Sequence, residues 1–477
     1  MKHTEITELE RLFDVQNRAF IRDPYPIVEK RLARLKSVES MVLSMREDAR
    51  IALEKDFAVH PHVLTDLLET APVILRARNL QANLAEWMEP LSRELDATVH
   101  GGSKAEVLPQ PLGVVGNIAP WNFPIECALI MVADMLAAGN NVIIKASEKT
   151  PATTRLLQAK IDEYFDEEVL AITVGGPEFS QKFASMPWNH LTYIGGANVG
   201  RKIMRAASEN LTPVTLELGG KNPTIFFDDG LTDPHLKAFL SVKFMKSGQV
   251  CTAPDYVYVP RDRMEEFIVR SREFMTDSYP RYIGHHDVAG MIDEFNFTRV
   301  VDGINEAHTR QVRVVPLVDG EADSTTRQIP FTMIVDPPHD ISLMSDEIFG
   351  PVLCVLPFDD VEDVLAEIRT RPRSLALYIA TENEALAEHL SRVTSSGAFA
   401  RNAYGMHGGI MSLPFGGNGA SGMGCHGGYE GFMNYSHKKT VFQCASDSKV
   451  LPLRFVPYGE VTQTWADGVF TVKEETD

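Results

Sequence analysis

The sequence predicts an α/β protein built on parallel sheets with helices on both faces. Three observations carry this. From about residue 111 onward, short Val- and Ile-rich runs alternate with helical patterns, the spacing of a parallel sheet buried on both sides. The chain has 477 residues, enough for two to four domains at roughly 100–200 residues each and for a core that needs no metal or disulfide. Its hydrophobic fraction of 44% and charged fraction of 23% are ordinary for a globular protein.

Residues 5–94 read as helical, rich in Leu, Ala, Glu and Arg, with breaks at Asp23-Pro24 and near His60-Pro61. Strands are predicted at 113–118, 141–145, 169–174 and 191–194, with helices at 125–138, from 151, at 178–184 and at 197–209. Thr150 is the expected N-cap of the helix that Pro151 opens. A second unit of the same kind follows. It has strands at 222–227, 256–259, 311–315, 330–335, 352–356, 375–380 and 397–400, and helices at 234–245, 262–275, 288–308, 361–369 and 383–393. Residues 405–477 are Gly-rich, then form short strands, then an acidic tail, and suit an extension that packs on a neighbour. The boundary near Leu218-Gly219-Gly220 reads as a turn and not a tether.

Sixty-five acidic against 46 basic residues leave a formal charge of −19. That sign disfavours nucleic acid and anionic membranes as partners. The acidic start MKHTEITELERLFD shows no secretory signal, and the apolar stretch Cys127–Ile144 is interrupted by Asp134 and Gly139-Asn140-Asn141, so no membrane anchor is expected. The five cysteines are scattered without a CxxC pair, which fits free thiols in a reducing, cytoplasmic compartment. Cys127, Cys354 and Cys444 read as inert small hydrophobes; Cys425, among glycines, is ambiguous.

Four places carry candidate chemistry. Cys251 lies in loop context, between Gly248 and Pro254, and is either a nucleophile or a buried thiol. Glu217 sits between leucines at a strand end, where a carboxylate needs a task or an ion-pair partner. Asn122, in Trp121-Asn122-Phe123-Pro124, follows a strand end, where α/β ligand sites open, or is an exposed turn residue. Gly195-Gly196-Ala197-Asn198-Val199-Gly200 nearly makes a dinucleotide fingerprint, but Ala197 takes the second glycine position. It remains a tight turn into a helix N-terminus that attracts phosphate.

Taken together, Pro120-Trp121-Asn122-Phe123-Pro124, Lys145-Ala146-Ser147-Glu148, Glu217-Leu218-Gly219-Gly220-Lys221, Gly248-Gln249-Val250-Cys251, Glu347-Ile348-Phe349-Gly350-Pro351 and Pro414-Phe415-Gly416-Gly417 resemble the aldehyde dehydrogenase superfamily. The resemblance runs from about residue 10 to 445 and is nearest to the shorter, dimeric class that includes fatty and aromatic aldehyde dehydrogenases. It implies an aldehyde dehydrogenase-like α/β fold. Residues 1–218 form a Rossmann-like NAD-binding domain, with about 95–112 contributing to the bridging segment; 219–404 form an α/β catalytic domain and 405–477 a bridging, oligomerising segment.

The resemblance also implies roles. Cys251 matches the nucleophile, Asn122 the oxyanion-hole amide and Glu217 the general base. Lys145 and Glu148 match positions that grip the adenine-side ribose. Gly195, Gly196 and Gly200 match the turn near the pyrophosphate. Glu347 matches the residue on the nicotinamide ribose, with Phe349 and Trp121 beside it. The cofactor implied is NAD, because Glu148 accepts from ribose hydroxyls and repels a 2′-phosphate, with NADP tolerated. No metal is implied.

The reaction the resemblance implies is oxidation of an aldehyde to its acid through a thiohemiacetal and a thioester, with nearby positive charge expected to lower the Cys251 pKa. Coniferyl aldehyde or a similar aromatic aldehyde is the implied substrate. A medium- or long-chain aliphatic aldehyde, or a CoA-acylating reaction, is the alternative. Trp121, Phe123, Phe244, Met245, Tyr404, Met406 and His407 suggest an apolar tunnel for it. A homodimer is implied as the assembly.

The sequence departs from the family pattern at Lys246, where asparagine is common, and at Ala197-Asn198, where a hydroxyl is usual. Lys246 reads as an outward, solvated side chain, or else as one that stiffens the loop or favours the thiolate.

Overall fold

The computed structural model of the chain describes residues 3–470; the last acidic residues expected at the C-terminus, 471–477, lie outside the described residues. Buried apolar runs became the strands. Val114–Ile118, Asn141–Ala146, Leu170–Val174, His190–Gly195 and Val214–Leu218 lie parallel in one sheet. Numbered along the chain, their spatial order is 3-2-1-4-5, the order of a doubly wound dinucleotide sheet. Its order reverses between Val114–Ile118 and His190–Gly195, so a crevice opens at the carboxyl ends of those two strands. Asn122 and Gly195-Gly196 follow those ends directly. A sixth, antiparallel strand, Gly422–Met423, closes the edge beside Val214–Leu218.

The second sheet has seven strands. Asn222–Phe226 and Pro254–Pro260 lie at its centre, and Cys251 enters Pro254–Pro260 at its amino end. All its neighbours pair in parallel except Arg313–Pro316, which is antiparallel at one edge. Each sheet thus departs from the parallel expectation only at an edge strand. A three-stranded sheet joins Leu91–Arg93, Lys104–Pro111 and Ser436–Gln443. The first two were not expected as strands; KAEVLPQP is polar and proline-bearing, without the apolar run that marks the others.

The amino-terminal residues fold as helices, broken at the expected places: Ile6–Arg22, Val28–Ser44, Arg46–Phe57, His62–Thr65, a π turn over Asp66–Thr70, then Ala71–Trp87. They cover the first sheet through the helix Glu126–Ala137, whose residues Ala128–Ala137 are all buried. Asp134 in that helix pairs at 2.8 Å with buried Arg76 and accepts from the Gly427 N–H, tying three parts of the chain together.

Three local expectations are corrected. Thr150 stands at the N-cap of Pro151–Tyr164 without a capping bond; Asp56, from a neighbouring helix, accepts from the Ala152 and Thr153 N–H groups instead. The helix expected over 288–308 begins only at Glu294, because Gly290 is pressed against the carbonyls of Phe57 and Thr326. The C-terminal segment carries a helix, Glu460–Phe470, where short strands and a tail were expected. Among the described residues no helix is long and apolar enough to cross a membrane.

Candidate active site

The site forms where the first sheet's crevice meets the amino end of Pro254–Pro260. Cys251 is half-buried there. Its loop is held from several directions. Asn122 Nδ2 donates to the Gln249 carbonyl at 3.2 Å, which brings the expected amide onto the cysteine loop. Asn222 Nδ2 donates to the carbonyls of Cys251 and Ala253, at 2.8 and 2.9 Å. The Gln249 side chain bonds Lys246, Gly290 and Ile292 backbone groups. Tyr378 donates to the Thr252 carbonyl at 2.7 Å.

Glu217, on the strand Val214–Leu218, lies opposite Gly422. It is 4% exposed, and among the described residues neither carboxyl oxygen has a hydrogen-bond partner. The salt bridge weighed for it is therefore not formed. Burial pushes its carboxyl well above the usual range. Its charge reaches the Cys251 thiol, as do those of Glu347 and Glu126. Burial, then these carboxyls, push the thiol pKa up. The expectation of a thiol lowered by nearby positive charge is thus corrected: the chain's own side chains crowd Cys251 with acids.

The residues expected on the cofactor side have their own geometry. Lys145, near the end of Asn141–Ala146, donates to Glu148 Oε2 at 2.6 Å. Burial opposes ionisation of Glu148, yet the Lys145 ammonium holds its carboxyl below the usual range. Gly195 ends its strand, and Gly196 caps the helix Ala197–Ser208 with no side-chain capping bond. A Cβ on Gly196 would meet nothing within 4 Å, so the helix N-terminus faces open space; Gly200 packs against Leu218.

Glu347 lies on the turn joining the two large sheets: a Cβ on Gly219 would stand 2.1 Å from its Oε2. Burial, and then Asp255, push the Glu347 carboxyl up to about 8, while the Gly220 N–H, Lys221 and Arg299 oppose the rise. Phe349 stands edge-on to Trp121, ring centroids 5.3 Å apart. These features suit a dinucleotide: an uncapped helix N-terminus for its phosphates, and carboxylates at both ends for ribose hydroxyls.

Other expectations change. Lys246 is not solvated. It is fully buried and paired at 2.6 Å with Glu69, also fully buried. Phe244 and Tyr404 belong to the core: Phe244 stacks on Phe331 at 3.9 Å, and Tyr404 packs among Phe226, Phe239 and Tyr378. Met406 is exposed, and His407 stacks on Phe415. Cys354 is buried as expected, whereas Cys444 is exposed and Cys127 half-buried, donating to Glu126 Oε2 at 3.0 Å. Glu126, half-buried beside the site, is pushed up to about 7 by burial. Sequence reasoning passed over Glu69, Glu126 and Asn222. Only Asn222, a polar residue opening a buried strand, left a local signal.

Comparison with known proteins places this geometry. The aldehyde dehydrogenase family profile matches residues 65–441. Coniferyl aldehyde dehydrogenase of a Pseudomonas species is 36% identical over 457 residues, covering 95% of this chain and 94% of the relative. AldH of Staphylococcus aureus, solved in a substrate-bound state, superposes with a TM-score of 0.91 at 28% identity, over 97% of this chain and 99% of that one. A Mycobacterium tuberculosis aldehyde dehydrogenase complexed with NAD+ superposes with a TM-score of 0.82 at 25% identity, over 92% and 91%. Sheet order, crevice and sequence agree, and the chain belongs to the aldehyde dehydrogenase family, whose activity is the NAD(P)-dependent oxidation of aldehydes.

Proposed function

We propose that this chain oxidises coniferyl aldehyde or a similar aromatic aldehyde to its carboxylic acid, with NAD preferred over NADP, through a covalent adduct on Cys251. The observation that carries the site assignment is the meeting of three groups: the Cys251 loop held by the Asn122 amide, with the unpartnered Glu217 carboxyl in electrostatic range of the thiol. The aromatic substrate is supported by the Pseudomonas relative's name and by aromatic rings around the crevice, Trp121 and Phe349.

The residues divide the work. The Cys251 thiol gives its proton to solvent, and its sulfur bonds the aldehyde carbon. The carbonyl oxygen takes up the electron pair as an oxyanion, stabilised by the Asn122 side-chain N–H and the Cys251 backbone N–H. Collapse re-forms the C=O bond, expels hydride and leaves a thioester. A nicotinamide cofactor held by Lys145, Glu148 and Glu347 would supply the acceptor for that hydride. Glu217 then takes a proton from a water that attacks the thioester. The C–S bond breaks, the acid leaves, and Glu217 passes its proton to the departing thiolate, which restores the thiol. Lys145, Glu148 and Glu347 orient the riboses, and Gly195, Gly196 and Gly200 admit the pyrophosphate. Glu148 disfavours a 2′-phosphate. The assembly proposed is a homodimer, since Ser436–Gln443 is an exposed sheet edge suited to cover by a second copy.

A steady-state panel of aromatic and aliphatic aldehydes with NAD and NADP tests this. The expected result is the highest kcat/KM for a coniferyl-type aldehyde with NAD and no need for CoA. Preference for aliphatic chains overturns the substrate, and CoA-dependent turnover overturns hydrolysis by Glu217. Light scattering tests the dimer: a monomer mass overturns it.

A further inference from the structure

Lys246 has a second context besides its burial. It lies five residues before Cys251, in a turn whose backbone runs left-handed at Lys246, Ser247 and Gly248, with φ of 51°, 53° and 72°. L-residues avoid that region, so surrounding contacts must impose the turn. Some are backbone packing: a Cβ on Gly248 would stand 2.3 Å from the Gly350 carbonyl oxygen. Ser247 donates to the Ala289 carbonyl at 2.5 Å. Gln249 Nε2 donates to the Lys246 carbonyl at 3.1 Å. A further restraint is electrostatic. Lys246 Nζ lies 2.6 Å from Glu69 Oε1, and 4.4 and 4.7 Å from the ring centres of Phe123 and Phe57.

Glu69 is used at both oxygens. Its Oε2 accepts from the N–H groups of Ile125 and Glu126, at 3.0 and 3.1 Å. Those amides begin the helix Glu126–Ala137, just beyond Asn122. One buried carboxylate therefore holds the segment that carries the Asn122 amide, while its lysine partner holds the loop that carries Cys251. The Asn122–Gln249 hydrogen bond closes the ring between them.

We infer that Glu69 and Lys246 are a positioning pair for aldehyde oxidation, locking the Cys251 thiol and the Asn122 amide into mutual register. Neither touches substrate; both act through the segments they clamp. A misplacement of about 1 Å between attacking sulfur and oxyanion donor costs on the order of a hundredfold in rate.

The inference rests on the roles proposed for Cys251 and Asn122, and the test separates the two. Lys246→Met, Glu69→Gln and the double variant are compared with the parent by stopped-flow NADH burst, NAD binding and iodoacetamide alkylation of Cys251. A clamp predicts a normal burst amplitude per folded site, NAD affinity within twofold, aldehyde KM within about threefold, and a burst rate down by about a hundredfold. It also predicts non-additivity: the double variant is about as slow as either single, because the pair acts as a unit. The double variant, which leaves no unpaired buried charge, carries the test if a single fails to fold.

A merely structural role lowers amplitude and leaves the rate of the surviving sites intact, and that outcome overturns the inference. So does a folded Lys246→Met enzyme with a burst rate within twofold of the parent. If the parent makes no NADH from any aldehyde, the proposed reaction fails instead. The clamp is then judged by alkylation of Cys251, which a released loop changes at least about tenfold and a loop held independently of the pair leaves unchanged.

Discussion

Two lysine–glutamate pairs of the same length, 2.6 Å, differ in their surroundings: Lys145–Glu148 and Lys246–Glu69. In the first the side chains are 5% and 38% exposed and lie three residues apart in sequence; in the second both are 0% exposed and 177 residues apart. Glu148 has water on one side, so it can exchange lysine for ribose hydroxyls at little cost. Glu69 has no such exchange, because removal of Lys246 leaves a charge with no solvent to receive it. Distance alone does not separate a pair proposed to bind ligand from a clamp. Burial, and the two backbone N–H groups on Glu69, do.

The largest effect is expected between the pairs, with both left intact. Cys251→Ala removes the sulfur that forms the bond. Stopped-flow assays should show kcat lower by at least about four orders of magnitude, while NAD affinity and Tm stay near the parent's. Retention of more than a few per cent of turnover would place the nucleophile elsewhere.

Next comes the buried clamp itself. Lys246→Met should destabilise by about 3–5 kcal/mol, the cost of an uncompensated buried charge. The double variant with Glu69→Gln should recover most of that loss. Urea midpoints read this directly. A single variant as stable as the parent would mean that Glu69 simply takes up a proton, and the contrast with Lys145–Glu148 would lose its energetic basis.

Glu217 is a buried acid whose carboxyl oxygens have no hydrogen-bond partner among the described residues. Its folded pKa lies above the unfolded value, so its contribution to stability is fully present below about pH 4.3 and is lost as pH rises toward the folded pKa. Glu217→Gln cannot ionise and keeps the shape. Its Tm should therefore exceed the parent's by a margin that widens from about pH 5 upward. Thioester hydrolysis should fall by about 10²–10³-fold, since a positioned base is gone. A Tm difference that is flat across pH would show that the carboxyl is solvated in solution.

Much of this was legible in the chain, for identifiable reasons. Parallel strands buried on both faces must be apolar, so Val114–Ile118 and Asn141–Ala146 announce themselves, and the amino-terminal helices break where proline forces them to. Lys104–Pro111 does not, because a strand in a small, half-exposed sheet has no need of an apolar run. Cys251, Asn122 and Glu217 could be proposed from sequence because each keeps its own neighbours in a local motif. The clamp was not. Lys246 looks like any surface lysine until the π turn at Asp66–Thr70 brings Glu69 to it, and nothing near Glu69 in sequence records that meeting. The Cys251 environment was misjudged for the same reason: Glu126 and Glu347 reach the thiol only through the tertiary fold.

The smallest effect concerns the exposed pair and tests the comparison from its other side. Glu148→Gln keeps an acceptor for ribose hydroxyls but removes the charge that repels a 2′-phosphate, and it frees the Lys145 ammonium to attract one. The ratio of kcat/KM for NADP over NAD should move by roughly tenfold toward NADP, about 1.4 kcal/mol of discrimination. Stability should change by less than about 1 kcal/mol, because a pair with a solvated partner contributes little to folding. The two readouts together matter. A cofactor shift with unchanged stability marks a pair that serves the ligand. A stability loss as deep as that of Lys246→Met, with the cofactor ratio unmoved, would make Lys145–Glu148 a second clamp and leave the Gly196 turn to account for NAD binding on that side of the crevice.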